Sequence, residues 1–414
     1  ASGAYYNNGN GWLAIGTQET PFTGIFDGNG YSIKNIRVNG TFSDTTHYSG
    51  VFGYSTGTVN RLGVENGQIN IAAASCQSYV GGVVAFNVGS VEQCLSSCSI
   101  TITASISKST YATSMSYIGG IVGYGNSGSI SDCVNESNLS ITQSMIEYSD
   151  PTILYAGGII GYSNATNIVE GINTGNIELN LGTANECEEI KSFVGGIAAY
   201  SSGQIKLCKN YGELSAYDVN AMSIPYIYVG GISGYSENNV VDCSNYAKVN
   251  AKACYTYAAG ISGFATGDIV YCKNSGEIDG TITRTNGGIY SYGYVAGIVG
   301  CSSATISECF NLGDIWTFEA YASEAGYAGG ICSYISGTII NCFNQGSVFS
   351  YSWYGYAGGI AGYADSSSSV SLCYNVAKVS GRRDGAIAGY TANITPNCYY
   401  SNDMKGVGTG AINI

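Results

Sequence analysis

One octapeptide constrains this chain more than anything else in it. Tyr117-Ile118-Gly119-Gly120-Ile121-Val122-Gly123-Tyr124 returns as close copies at Tyr79 to Phe86, Tyr155 to Tyr162, Phe193 to Tyr200, Tyr228 to Tyr235, Tyr257 to Phe264, Tyr294 to Cys301, Tyr327 to Tyr334 and Tyr356 to Tyr363. Weaker copies stand at Ser49 to Tyr54 and Asp384 to Tyr390. Self-similarity at a period of roughly 30–40 residues marks a stacked repeat array rather than a set of independent domains. A chain of 414 residues built this way is expected to form one elongated body, not the two or three domains that length alone suggests.

Each repeat carries short runs rich in Ile, Val and Tyr, bounded by Gly, Asn and Ser, and no stretch holds a 3.6-residue apolar period. Such runs are strands. After the Gly-rich strand come two more within the pattern apolar-x-x-Cys-x-Asn-x-small-x-apolar, as in Ile130 to Leu139 and Ile269 to Ile278. Three short strands in a fixed order per repeat predict an all-β, right-handed parallel β-helix of about ten to eleven coils. Residues 1–48 lack the pattern and, with Trp12, Phe22 and Phe26, are expected to cap the array. Residues 49–390 form the repeats and 391–414 close them. The position of Ile121 is always Val or Ile, so it should point inward. The opposite parity, filled by Val, Ala, Gly, Ser and Cys, should form a flat outer face.

The second pattern sets two ladders. Cysteine recurs at Cys133, Cys208, Cys243, Cys272, Cys309, Cys342 and Cys373, with Cys94 ahead of them; two residues later stand Asn135, Asn210, Asn245, Asn274, Asn311, Asn344 and Asn375. Asparagines stacked at a corner can pass amide hydrogen bonds from coil to coil. Cysteines one coil apart sit at about 4.8 Å, wider than the roughly 3.8 Å Cβ separation of a disulfide, so buried free thiols are expected. No Cys-x-x-Cys pair occurs and the single histidine is His47, so no metal site is expected. No cofactor is expected either.

With a net charge of −13 and only 15 Lys and Arg, nucleic-acid binding is not expected, because phosphate neutralisation needs clustered cations. The pair Arg382-Arg383 reads as a solvated connection. No apolar run reaches the ~18–20 residues of a membrane span. The chain opens Ala-Ser-Gly-Ala, which suits a mature or excised chain. Carboxylates are scattered, apart from Glu186-Cys187-Glu188-Glu189 in a variable connection. Nothing singles out a catalytic residue, and no enzyme activity is expected.

Thirty-six tyrosines are the stronger signal. They alternate ahead of several Gly-rich strands, as in Tyr226-x-Tyr228, Tyr255-x-Tyr257, Tyr290-x-Tyr292-x-Tyr294 and Tyr351-x-Trp353-Tyr354-x-Tyr356. The last tyrosine of each set shares parity with the inward Ile and is expected in the core. Tyr226, Tyr255, Tyr290, Tyr351 and Trp353 are the candidate ligand contacts, on a strip that could stack against sugar rings or another protein.

The phrase Gly119-Gly120-Ile121-Val122-Gly123-Tyr124, followed by Ser127-Gly128-Ser129-Ile130-Ser131-Asp132-Cys133-Val134-Asn135, resembles the GLUG repeat of bacterial surface proteins. The opening from Trp12 to Tyr31 resembles the segment that precedes those repeats, and Asn397-Cys398-Tyr399-Tyr400 is similar to their closing unit. Ala14 stands where the family often has Pro, and Gly171 replaces one ladder cysteine. The resemblance implies a secreted or cell-surface adhesin-like module. Its partners would be host or environmental glycans, surface proteins, or further copies of itself as a fibre. A carbohydrate-active or lectin-like β-helix is the remaining alternative.

Overall fold

The computed structural model of this protein describes residues 6–43, 46–74, 77–106, 115–145, 152–183, 189–218, 224–283, 291–319, 325–391, 397–401 and 412–413. It is a parallel β-solenoid with one short 3-10 turn at Tyr6–Gly9. Two compact units are distinguished: Ala1–Gln204 with Cys208–Glu213 and Asp218–Ser223, and Ile205–Leu207 with Leu214–Tyr217 and Ile224–Ile414. In the first unit one complete coil runs through Met115–Gly119, Val122–Asn126, Ser129–Ser131, Val134–Asn135 and Leu139–Met145. Its counterpart in the second unit is Tyr255–Ala259, Ser262–Ala265, Ile269–Val270, Lys273–Asn274 and Ile278–Ile282. Each strand pairs in parallel with its copy in the neighbouring coil, as Tyr117 does with Tyr79 and Tyr155. The second sheet has five such strands in the first unit and six in the second, in line with the coil count the repeats imply.

A coil has five strands rather than three because two of the three segments bend midway. The Gly-rich segment turns at Gly120-Ile121. The second segment turns at the residue before each ladder cysteine, or before Gly171 in its place, which adopts positive φ: 52° at Gln93 and Asp132, 56° at Glu170 and Tyr271, 53° at Asp242, Glu308 and Leu372. That region is costly for side-chain-bearing residues other than Asn and Asp. Leucine and tyrosine hold it here because the ladders on either side fix the corner.

The interior is a set of columns. Val83, Ile121, Ile159 and Ile197 in one unit, and Ile232, Ile261, Ile298, Ile331 and Ile360 in the other, are fully buried, as expected. Each contributes about 1.5–3 kcal/mol by leaving water. The outer face expected for the opposite parity is not there. Ile118, Val122, Val295 and Val299 are as buried as the isoleucines. The Gly-Gly bend between the two strands breaks the period of two, so residues on both sides of it point into the core.

At the next corner the asparagine carboxamides form chains of one direction. Nδ2 of Asn135 donates to Oδ1 of Asn173 (2.7 Å), and Asn173 to Asn210 (2.8 Å). In the second unit Asn245 donates to Asn274, Asn274 to Asn311, Asn311 to Asn344 and Asn344 to Asn375, all at 2.8–2.9 Å. The series ends on the Ala386 carbonyl (2.8 Å). Every amide also donates to the carbonyl two residues on, as Asn274 does to Gly276 (2.8 Å), satisfying the buried turn. Alongside run the thiols. Cys94, Cys133, Cys208, Cys243, Cys272, Cys309, Cys342, Cys373 and Cys398 are buried and free. Burial pushes the Cys309 thiol well above its ordinary pKa, so it packs as a neutral group. Where Gly171 interrupts the column, its N–H donates to Cys208 Sγ at 3.3 Å.

At the start of the chain, Trp12 Nε1 donates to the Val51 carbonyl (3.1 Å), and Ile15 and Phe22 bridge to Phe52 and Ser55. These residues lie along the edge of the first coil, whose own strands begin at Ile25–Asp27. His47 sits in that coil, stacked on Phe42 with ring centroids 3.4 Å apart and bonded through Nε2 to Ser49 Oγ. Burial holds its pKa down at about 4, against an ordinary 6.5. The folded state therefore binds fewer protons than the unfolded one between those values. The stabilisation is whole above pH 6.5 and is lost as pH falls towards 4, by at most about 3 kcal/mol. Denaturation of wild type and His47→Phe across this window should show a steeper acid loss in wild type; equal slopes would refute it.

Candidate functional site

Tyrosines at the two ends of the repeated octapeptide meet across the Gly-Gly bend on the outside of the solenoid. Tyr117 lies edge-on to Tyr124 (5.0 Å, 88°) and stacks on Tyr79 (4.9 Å) and Tyr155 (5.2 Å). Tyr124 stacks on Phe86 (4.8 Å) and Tyr162 (5.1 Å). The second unit repeats this along Tyr228, Tyr257, Tyr294, Tyr327 and Tyr356. Of the inner tyrosines, expected in the core, Tyr79, Tyr117 and Tyr155 are buried and Tyr228, Tyr257, Tyr294 and Tyr327 half-buried, all shielded by other rings, while the neighbouring Ile118 fills the interior. Desolvation raises Tyr79 and Tyr327 to about 12, so these phenols stay neutral.

A ring stacked on both sides has no face left for a ligand. That removes Tyr255, which lies between two rings, whereas Tyr226 is half-buried and stacked on one side. Tyr226 stacks on Tyr255 (4.2 Å, 5°) and Tyr255 on Tyr292 (6.2 Å, 27°). Desolvation, followed by the field of Tyr226, raises Tyr255 to about 12. Tyr292 opposes Ala325 in the register, so the column ends there. Tyr290 and the Glu186 to Glu188 run lie outside the described residues, as does the side chain of Glu189.

Tyr351 and Trp353 stand elsewhere, on the last coils of the second unit. Phe318 stacks on Tyr351 (5.1 Å, 7°) and Trp316 on Phe349 (4.2 Å, 14°), forming two parallel columns on the strands Ile315–Glu319 and Val348–Tyr351. The following strand, Val379–Gly381, puts Ser380 opposite Phe349 and ends with Gly381 opposite Ser350. Among the described residues Phe318 is the one ring stacked on Tyr351, and the residue is 59% exposed.

The chain then turns through residues 352–356. Ser352 Oγ accepts from Gly326 N (2.8 Å) and Gly355 N (3.0 Å), and Trp353 N donates to Glu319 Oε2 (2.8 Å). A side chain at Gly355 would run into the Gly326 carbonyl oxygen. So pinned, the turn holds Trp353 and Tyr354 in solvent, 52% and 54% exposed. Arg382 lies over Trp353, its Cζ 3.5 Å from the ring centroid. Arg383 lies over Tyr356 (5.1 Å) and donates from Nη1 to its hydroxyl (3.0 Å). The pair read as a solvated connection is therefore part of an aromatic cluster. Sequence reasoning missed it because 27 or more residues separate each arginine from its ring.

Two carboxylates touch at a corner of the first unit. Asp132 and Glu170 share a hydrogen bond, which raises Glu170 above its ordinary pKa. Two carboxyls in contact leave no space for a glycosidic bond between them, which requires a separation of about 5 Å or more. Among the described residues, no three His, Cys, Asp or Glu side chains are grouped to hold a metal ion.

The fold and this surface define a parallel β-solenoid carrying an exposed aromatic and cationic platform on its second unit. No protein-family model matches the chain, and comparisons with curated proteins and with solved structures likewise returned no match.

Proposed function

We propose that this protein is a non-catalytic, extracellular or cell-surface binding module that holds a glycan against the aromatic platform of its second unit. The observation that carries the reading is the exposed ring of Tyr351 beside Trp353 and Tyr354, on a turn fixed by Ser352 and Gly355. Exposed rings on a rigid turn bind with little ordering cost, and a sugar ring presents a C–H face that matches them. The extracellular placement rests on the resemblance to GLUG repeats. Edge-to-edge fibre growth is the second reading. The bridges of Ile15 and Phe22 along the first coil's edge favour a discrete particle over growth from that side.

A glycan array tests the proposal with wild type, Trp353→Ala, Tyr351→Ala and Tyr226→Ala. Wild type is expected to bind a defined set of glycans. Trp353→Ala and Tyr351→Ala should each bind about fivefold more weakly, one stacking contact being worth about 1 kcal/mol. Tyr226→Ala should bind as wild type does, since its half-buried ring belongs to a different column from Tyr351 and Trp353. Absence of binding by wild type across the array sinks the proposal.

A further inference from the structure

From the two arginines on this platform we infer that its ligand is an acidic glycan, one carrying carboxylate or sulfate groups. The inference rests on the glycan-binding reading and adds the charge of the ligand. Among the described residues neither guanidinium is neutralised by a carboxylate: Arg382 is held on Trp353 and Arg383 on Tyr356. Asp384, the nearest acid in sequence, accepts from Gly381 N (3.3 Å). A guanidinium stacked on a ring keeps its N–H groups in its own plane, pointing outwards, where they match the two oxygens of a carboxylate or sulfate. Stacking also removes much of the side chain's freedom before any ligand arrives, which strengthens binding.

The charge distribution supports the same ligand. The whole chain carries −13, yet residues 325–414 hold four basic residues, Lys378, Arg382, Arg383 and Lys405, against three acidic ones, Asp365, Asp384 and Asp403. The acidic excess therefore lies entirely ahead of residue 325. One of those acids, Glu319, is at the site, its Oε2 accepting from Trp353 N, and is outnumbered there by Arg382 and Arg383; repulsion of a polyanion by the more distant acids is screened beyond about 8–10 Å at physiological ionic strength, whereas contact with the arginines is not. The site thus pairs a ring face for the sugar, on the turn at 352–356, with cations for its acid, Arg382 and Arg383, brought against it from the following coil.

The test uses matched polymers that differ only in charge: polygalacturonate against its fully methyl-esterified form, and dextran sulfate against dextran. Binding by the full chain is measured at physiological salt for wild type, Arg382→Ala/Arg383→Ala and Arg382→Lys. The acidic member of at least one pair is expected to bind wild type about tenfold or more tightly than its neutral partner. The double variant should lose that preference, and Arg382→Lys should recover only part of it, because lysine keeps the charge without the planar fork. Preference for the uronate or for the sulfate identifies which acid the site takes. Circular dichroism of the variants guards against misfolding, and both side chains lie on the surface. Equal binding of neutral and acidic members, unchanged in the double variant, overturns the acidic ligand while leaving glycan binding in place. Acidic binding that survives in the double variant overturns the role of the arginines. Failure to bind any of these polymers or any glycan on the array overturns both readings together.

Discussion

Asn274→Leu is expected to destabilise the second unit by about 4 kcal/mol, more than any single surface change in the molecule. Asn274 is fully buried, and four hydrogen bonds end on its carboxamide. Its Oδ1 accepts from Asn245 Nδ2 (2.9 Å) and Gly276 N (3.2 Å); its Nδ2 donates to Gly276 O (2.8 Å) and Asn311 Oδ1 (2.8 Å). Leucine fills a similar volume and supplies none of these. The buried backbone groups of Gly276 are left without that partner, and each orphan costs about 1–3 kcal/mol. Asn274→Asp sharpens the test. Its carboxylate keeps both acceptor bonds but turns a negative oxygen towards Gly276 O and Asn311 Oδ1. Its pKa in the folded state should therefore be raised, and the variant should regain stability as pH falls and the acid becomes a donor. Urea denaturation of the three proteins and hydrogen exchange at the neighbouring coils are the measurements. A loss under about 1 kcal/mol for Asn274→Leu would falsify the view that the amide chain stabilises the corner.

That corner was legible in the sequence because its chemistry is written in residue identity: Cys-x-Asn recurs, and only a carboxamide can both accept and donate along the stack. The coil count and the isoleucine columns were legible for the same reason. Less was visible where backbone conformation decides. Gln93, Leu207, Tyr271 and Leu372 all sit at positive φ, yet none announces a corner, so five strands read as three. The Gly-Gly bend hid the reversal that places Tyr117 against Tyr124 outside the wall and Val122 within it. On the candidate site, sequence pointed to Tyr351 and Trp353 together with Tyr226 and Tyr255, since alternation alone cannot tell a half-buried ring from an exposed one. What separates them is exposure: Tyr226 and Tyr255 are half-buried, whereas Tyr351 and Trp353 stand mostly in solvent. The arginines on the platform follow from a crossing between coils, which no local pattern encodes.

Gly297→Ala should cost about 3 kcal/mol or more through overpacking, although it adds a single methyl group. A Cβ at Gly297 would overlap the Asn311 carboxamide and the Gly330 carbonyl oxygen at once. Neither can give way, because Asn311 is tied to Asn274, Asn344 and the Gly313 carbonyl, and the Gly330 carbonyl belongs to the next coil's bend. The chain contains its own control. Gly120, Gly158, Gly231, Gly260, Gly297, Gly330 and Gly359 each face a ladder asparagine, Asn135, Asn173, Asn245, Asn274, Asn311, Asn344 and Asn375 respectively. In the last copy the glycine is replaced by Ala386, and the residue opposite Asn375 in the following strand is Tyr400, not asparagine. Where the carboxamide is missing, the methyl is accepted, and Ala386 is fully buried. Ala386→Gly should accordingly shift stability by less than about 1 kcal/mol, the usual size of a glycine's backbone entropy. Removing the amide does not rescue the first variant: Gly297→Ala with Asn311→Ala still meets the Gly330 carbonyl and also loses the amide bonds, so it should be less stable than either single variant. Recovery of stability in that double variant would mean that the carboxamide alone excludes the methyl group and that the backbone of the next coil can move aside.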